Sequence, residues 1–278
     1  MSPLVWVLVS SVAWVGADVL RKTLAGPVGA APLGAILALG SLVVFLPMWL
    51  VSGGTISAGY IAPALLSLVA NVGASLLMIV ALHRGELGVV VPLLALTPAL
   101  SALGDWAMGG APPGPRQSAG IGLVVMGALA LQLKGLRPRL DQTALMAIAV
   151  AVLFSATAVL DARALQASSA ALHGLLQSAG VGLAMVGIAC CMGQGRRLLP
   201  PPESSWLLLA AVAVYAGGYI TQLLALEHVP ASVHETAKRA VGMLGALLVG
   251  SIGFQERVTL PRGMGVLSML IGVAMVLL

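Results

Sequence analysis

The chain has 278 residues, of which 59% are hydrophobic and only 8% charged, and its mean hydropathy is +1.05. That balance excludes an ordinary soluble domain and points to a membrane protein. The formal net charge of +5 invites a nucleic-acid reading, but no basic patch is interleaved with aromatics in a soluble stretch, so nucleic acid is excluded as a partner and the cations are read as topological signals.

Met1–Leu20 is apolar but has no basic residues ahead of it, and Arg21 and Lys22 follow it. It is therefore expected to be a first membrane helix and not a signal peptide. Further apolar segments follow at 31–51, 58–82, 87–108, 116–133, 142–163, 171–192, 204–226, 231–253 and 261–278. Each is near the ~20 residues that span hydrocarbon. Gly- and Pro-rich clusters separate several of them, among them Ser52–Gly54, Gly109–Pro115 and Pro200–Pro202. The 34 glycines suit close helix packing in lipid.

The polar stretch Lys134–Asp141 divides the chain into two sets of five segments, residues 1–134 and 141–278, forming one membrane domain. Gly120–Gly127 resembles Gly265–Gly272, and Ala81-Leu82 resembles Ala225-Leu226 at nearly the same separation. Trp14 falls opposite Phe154 in a weaker match. An odd number of helices per repeat turns the second repeat upside down in the membrane. The expected fold class is thus an all-α membrane protein of ten transmembrane helices, arranged as two inverted five-helix repeats. Lys and Arg concentrate in the odd-numbered loops (Arg21, Lys22, Arg84, Lys134, Arg137, Arg139, Arg196, Arg197, Arg257, Arg262), whereas the even loops and termini hold Arg116 and Arg163. The positive-inside rule puts the odd loops in the cytoplasm and both termini outside, most simply in a bacterial inner (cell) membrane.

Candidate site residues appear along the way. Trp14 and Asp18 lie in the first segment, where Asp18 is one turn from Arg21 and Lys22 and a structural ion pair is the simpler role. His173 and Gln177 share a face of the seventh. The adjacent Cys190 and Cys191 read as small apolar packing, with no metal-ligand spacing and no cofactor motif. Tyr215, Tyr219 and Gln222 share a face of the eighth segment, with Tyr219 expected to be deep and to line a cavity. The ninth, Ala231–Gly253, carries His234, Glu235, Lys238 and Arg239 within six positions. At 100° per residue these fall at about 0°, 100°, 40° and 140°, one polar face. Each such charge costs roughly 2.5–3.5 kcal/mol at a bilayer centre, so other helices must cover that face. Intramembrane ionisable residues mark a substrate or ion path by default. Glu235 can neutralise one of the two cations, which leaves a positive surplus as the expectation. The segments equivalent by repeat, the fourth and ninth, are expected to face one central cavity.

The sequence Gly253-Phe254-Gln255-Glu256-Arg257-Val258-Thr259, followed by Gly265 and Gly272, resembles the end of a repeat in the drug/metabolite transporter superfamily, EamA type. The family's Trp-Gly pair in the first helix stands here as Trp14-Val15-Gly16, and Ala111 occupies the position aligned with Glu256. The resemblance implies ten helices in a 5+5 arrangement and a transporter. It also implies cytoplasmic termini, against the charge count, which is followed here. Ser232-Val233, with Lys238-Arg239-Ala240-Val241, is similar to the ninth helix of the plastid triose-phosphate translocators, in which paired Lys-Arg contacts phosphate. Glu235, close by, is an alternative partner for both cations, so the substrate is not carried over.

The expectation is a secondary transporter of a small polar, anionic metabolite, working by alternating access in the lipid bilayer. It is not an enzyme and takes no cofactor. Coupling to a proton or a counter-substrate through His234, Glu235 or Asp18 is compatible with the pattern. The competing readings are an exporter of amino acids or lipophilic drugs and, in a different class, a lipid flippase or a non-transporting membrane scaffold. Glu256 is expected to cap or orient a helix end, and the twelve methionines read as packing.

Overall fold

Apolar segments fold as helices in lipid because a helix satisfies its backbone hydrogen bonds within one segment. The computed structural model describes residues 3–107, 112, 114–131, 133–134, 137–138, 141–199, 205–229, 231–255 and 259–277. Its first half holds α1 (Pro3–Val28), α2 (Ala30–Gly40), α3 (Leu42–Ser52), α4 (Ile61–Arg84), α5 (Leu87–Leu93), α6 (Leu96–Ala107) and α7 (Pro115–Leu131). The second holds α8 (Gln142–Leu165), α9 (Ala170–Cys191), α10 (Ser205–Leu226), α11 (Ala231–Gly253) and α12 (Leu260–Leu277). Between the halves, β1 (Leu133–Lys134) and β2 (Arg137–Pro138) form a two-residue antiparallel ladder with Leu133 opposite Pro138, a small departure from the all-α expectation.

All ten expected segments are helical, two of them broken. The second breaks between α2 and α3 at Gly40-Ser41, where the Ser41 hydroxyl donates back to the Leu37 carbonyl at 2.8 Å. The fourth breaks between α5 and α6, where Pro98 cannot donate to the Leu94 carbonyl and Thr97 N–H takes it instead at 2.9 Å. Among the described residues, six helical units are long and apolar enough to cross a membrane: α1, the α2–α3 unit, α4, α8, α9 and α10. Large apolar side chains such as Val43, Val51, Val69, Leu209 and Ile252 cover the outside. The protein is an integral, multi-pass membrane protein.

The first segment is longer than expected. It runs through Arg21 and Lys22 to Val28 and turns into α2 at Gly29, whose φ of +93° suits a residue without Cβ. Arg21 is therefore buried inside a helix and is no loop charge. Lys22 donates to the Gly85 carbonyl at 2.6 Å, tying α1 to the end of α4.

The main helix pairings are α1 with α10, α4 with α8, α2 with α9, α7 with α12, α11 with α5 and α6, α1 with α11, and α8 with α5 and α6. Exchanging the first and second halves turns this set into itself. The α7–α12 contact is reciprocal in detail. A Cβ on Gly127 would lie 2.6 Å from the Gly265 carbonyl oxygen, and one on Gly272 would lie 2.6 Å from the Gly120 carbonyl oxygen. The backbones touch, which only glycine permits.

Candidate functional site

Five helices enclose an interior cavity. α1 contributes Trp14, Asp18 and Arg21, and α4 contributes Asn71, Ser75 and Met78. Phe154, Thr157, Ala158 and Asp161 come from α8, and Tyr215, Tyr219 and Gln222 from α10. Glu235, Lys238 and Arg239 come from α11. The space between them is about 40 Å³, room for roughly three water molecules.

The charges of α11 follow helical spacing. Glu235, 1% exposed, pairs with the Lys238 ammonium and accepts from Arg239 Nη2 at 3.2 Å. Lys238 also donates to Gln222 Oε1 at 3.2 Å. Across the cavity, Arg21 Nη1 donates to Asp18 Oδ1 at 3.1 Å, the expected one-turn pair. The aromatic rings seat the cations. The Arg21 guanidinium lies 5.2 Å from the Trp14 ring centre and 5.1 Å from that of Tyr215. Lys238 Nζ is 5.6 Å from Trp14, and Arg239 is 5.9 Å from Phe154. All four distances are within the ~6 Å reach of a cation–π attraction.

Asp161 supplies a third carboxylate. Its Oδ1 accepts from the Ser67 hydroxyl and lies 3.1 Å from His173 Nε2. His173 Nδ1 in turn lies 3.1 Å from the Tyr60 hydroxyl. The cavity wall thus carries Arg21, Lys238 and Arg239 against Asp18, Asp161 and Glu235. This corrects the positive surplus expected from α11 alone: with all six ionised the charges balance.

Hydrogen bonding does not balance in the same way. Among the described residues, Trp14 Nε1, Arg21 Nε and Arg239 Nε are buried donors without a partner. The Tyr219 hydroxyl is also unpartnered, and Asp161 Oδ2 is the one acceptor-only atom of the wall in this condition. Among these buried, unpartnered atoms of the wall, donors therefore outnumber acceptors.

Eight of the ten sequence-based candidates stand on this wall: Trp14, Asp18, Tyr215, Tyr219, Gln222, Glu235, Lys238 and Arg239. His234 and Gln177 do not. His234 is fully buried, with Nε2 3.1 Å from the Ser10 hydroxyl, and so joins α11 to α1. Gln177 donates to the Ala64 carbonyl at 2.8 Å, beside an apolar recess near Tyr60. Glu256, Arg257 and Ala111 lie outside the described residues. Cys190 and Cys191 are unbridged and exposed, so they pack less than expected.

The fourth segment is a further correction. α5 and α6 pack on α11 but add no described residue to the wall. One constant separation carries Asn71 to Tyr215, Ser75 to Tyr219 and Met78 to Gln222, and one residue less carries Asp18 to Asp161. The same interval takes Glu235, Lys238 and Arg239 back to Val91, Leu94 and Ala95, all apolar. At these equivalent positions α11 alone is charged, and α5 faces it with packing. That regular interval was the sequence signal for Asp161, Asn71 and Ser75; Arg21 had none apart from its nearness to Asp18.

Comparison with known proteins agrees with this architecture. A solved structure described only as a crystal structure of a protein is similar over 97% of this chain and 95% of its own, with a TM-score of 0.66 at 16% identity, a likeness of fold. No curated protein matches the chain in sequence. The family model for the EamA-like transporter family matches residues 1–132. Over those residues the chain is similar to the EamA-like transporter family.

Proposed function

We propose that the protein is a secondary transporter of a small anionic metabolite, which passes through the α1/α4/α8/α10/α11 cavity by alternating access. The observation that carries this reading is the excess of buried, unpartnered donors beside Lys238 and Arg239. A carboxylate or phosphate would supply acceptors to these donors and share the cations now held by Glu235. A desolvated charge-assisted contact of this kind is worth about 1.5–3 kcal/mol, roughly ten- to a hundredfold in affinity.

The two repeats, residues 1–134 and 141–278, are read as inverted copies that rock against each other. The half-exchange symmetry of the helix pairings and the reciprocal Gly127/Gly272 contact support this. A space of about 40 Å³ is too small for a metabolite, so binding must part the helices around it. In this reading all ten helices cross the membrane and the termini lie outside the cytoplasm.

The test is a thermal-shift panel on purified protein with carboxylates and phosphate esters, amino acids, and organic cations. Anions are expected to raise the melting temperature of the wild type, and of Lys238→Ala and Arg239→Ala far less. Stabilisation by cations alone, or an equal anion response in both variants, would refute the reading.

A further inference from the structure

Asp161 is the one carboxylate of the cavity wall whose partners lead away from it. It is fully buried near the C-terminal end of α8. Asp161 belongs to the cavity wall, and its Oδ2 has no partner among the described residues, while Oδ1 meets Ser67 and His173. His173 sits in the first turn of α9 and uses both ring nitrogens, Nε2 toward Asp161 and Nδ1 toward the Tyr60 hydroxyl. Tyr60 immediately precedes α4, next to the exposed residues 53–59. A continuous chain of hydrogen-bonding groups therefore runs from the cavity to a loop at one end of the bundle.

The donor directions are determined by the chemistry. An ionised Asp161 only accepts, so His173 Nε2 carries the hydrogen and Nδ1 accepts from the Tyr60 hydroxyl. We propose that Tyr60, His173 and Asp161 form a proton path between the 53–60 loop and the cavity, with Asp161 holding the proton. The transfer balances. Asp161 takes the Nε2 proton, His173 takes the Tyr60 hydroxyl proton at Nδ1, and Tyr60 recovers one from water at the loop. One proton enters, Asp161 becomes neutral and His173 changes tautomer.

The groups around Asp161 give this proton a purpose. α10 presents Tyr215 and Tyr219 to the same cavity; α1 presents Asp18 and Arg21; α11 presents Glu235, Lys238 and Arg239. With Asp161 ionised the three cations meet three carboxylates. With Asp161 protonated one positive charge is left over, and an anion replaces the one carboxylate charge that has been neutralised. Anion and proton would then bind together, which deepens the transporter reading and rests on it for its use.

Substrate-free infrared spectroscopy of the protein in lipid nanodiscs tests the path. Acidifying the medium is expected to raise a protonated-carboxyl signal that Asp161→Asn, which keeps the shape of the side chain, removes. After a rapid pH step, Tyr60→Phe and His173→Gln are expected to slow the growth of that signal about tenfold or more, with the same final amplitude. A spectrum unchanged by Asp161→Asn would overturn the proposal, as would wild-type rates in both other variants. No substrate enters this measurement, so a failed anion panel with the infrared result intact would refute the anion reading alone.

Discussion

Glu235 shares its carboxylate between two cations one turn away on the same helix, so removing one cation leaves the other pair whole. Lys238→Ala keeps the 3.2 Å contact between Glu235 and Arg239, and folding is expected to suffer little. Glu235→Ala is different in kind. It leaves Lys238 and Arg239 buried at 9% and 6% exposure with no carboxylate on their own helix. Breaking a buried pair from one side costs about 3–5 kcal/mol. The variant is expected to melt well below wild type in anion-poor buffer and to regain much of the loss when sulfate is added. A melting temperature that stays low in saturating sulfate would mean that Glu235 serves the fold and that no anion takes its place. These residues were legible in the sequence because helical spacing alone puts them on one face. Arg21 was not, because spacing says which residues share a face and not which faces of distant helices meet, and Asp161 was legible only through its repeat interval from Asp18. Lys22 shows the same limit: it reads as a loop charge, yet its ammonium closes on the Gly85 carbonyl within the fold.

At the scale of elements, apolar length located all ten helices to within a few residues, apart from the end of the first. The sequence could not show which face α5 turns toward α11. That follows from packing: a Cβ on Gly242 would lie 3.6 Å from Val91 Cγ1, so α5 meets α11 with an aliphatic face. Cysteines at Val91 and Gly242 are expected to join under mild oxidation, and failure to do so would place the two helices differently. The α7–α12 seam allows a sharper test. Gly272→Leu drives a side chain into the Gly120 carbonyl and Val124, and overpacking of this sort costs about 1–3 kcal/mol. A Cβ on Gly122, on the same helix as Gly120, meets nothing within 4 Å, so Gly122→Leu starts from open space. The first variant is expected to lose folded yield and melting temperature, and the second neither. Equal behaviour of the two would mean that the seam is looser than its backbone contact implies.

For the whole molecule, the two ends of the bundle differ in charge. At one end, Ser57 N–H donates to the Ala167 carbonyl at 3.0 Å and Ala170 N–H to Glu227 Oε1 at 3.0 Å, which gathers the loops around 53–60, 166–169 and 227–229. At the other, Lys22 meets Gly85, and Gly29 approaches Gln194 and Arg197, which gathers the turn at Gly29, the turn after Arg84 and the short helix Gly195–Leu198. Arg84, Arg196 and Arg197 belong to the second end, whereas Arg163 is the cation nearest the first. Losing Arg21 to the cavity weakens the loop count by one and leaves its sign unchanged. Positive charge is retained on the cytoplasmic side during insertion, so the Arg196 end should be cytoplasmic and the Tyr60 end outside. A fluorescent protein that matures only in the cytoplasm, fused after Leu278, should then be dark, while a reporter active only outside should work at that position. The same orientation opens the Tyr60–His173–Asp161 path to the external medium, so acidifying that side alone should protonate Asp161 in sealed vesicles of known orientation. Bright fluorescence at full expression would reverse the orientation and make the path open to the cytoplasm, with the helix packing unchanged.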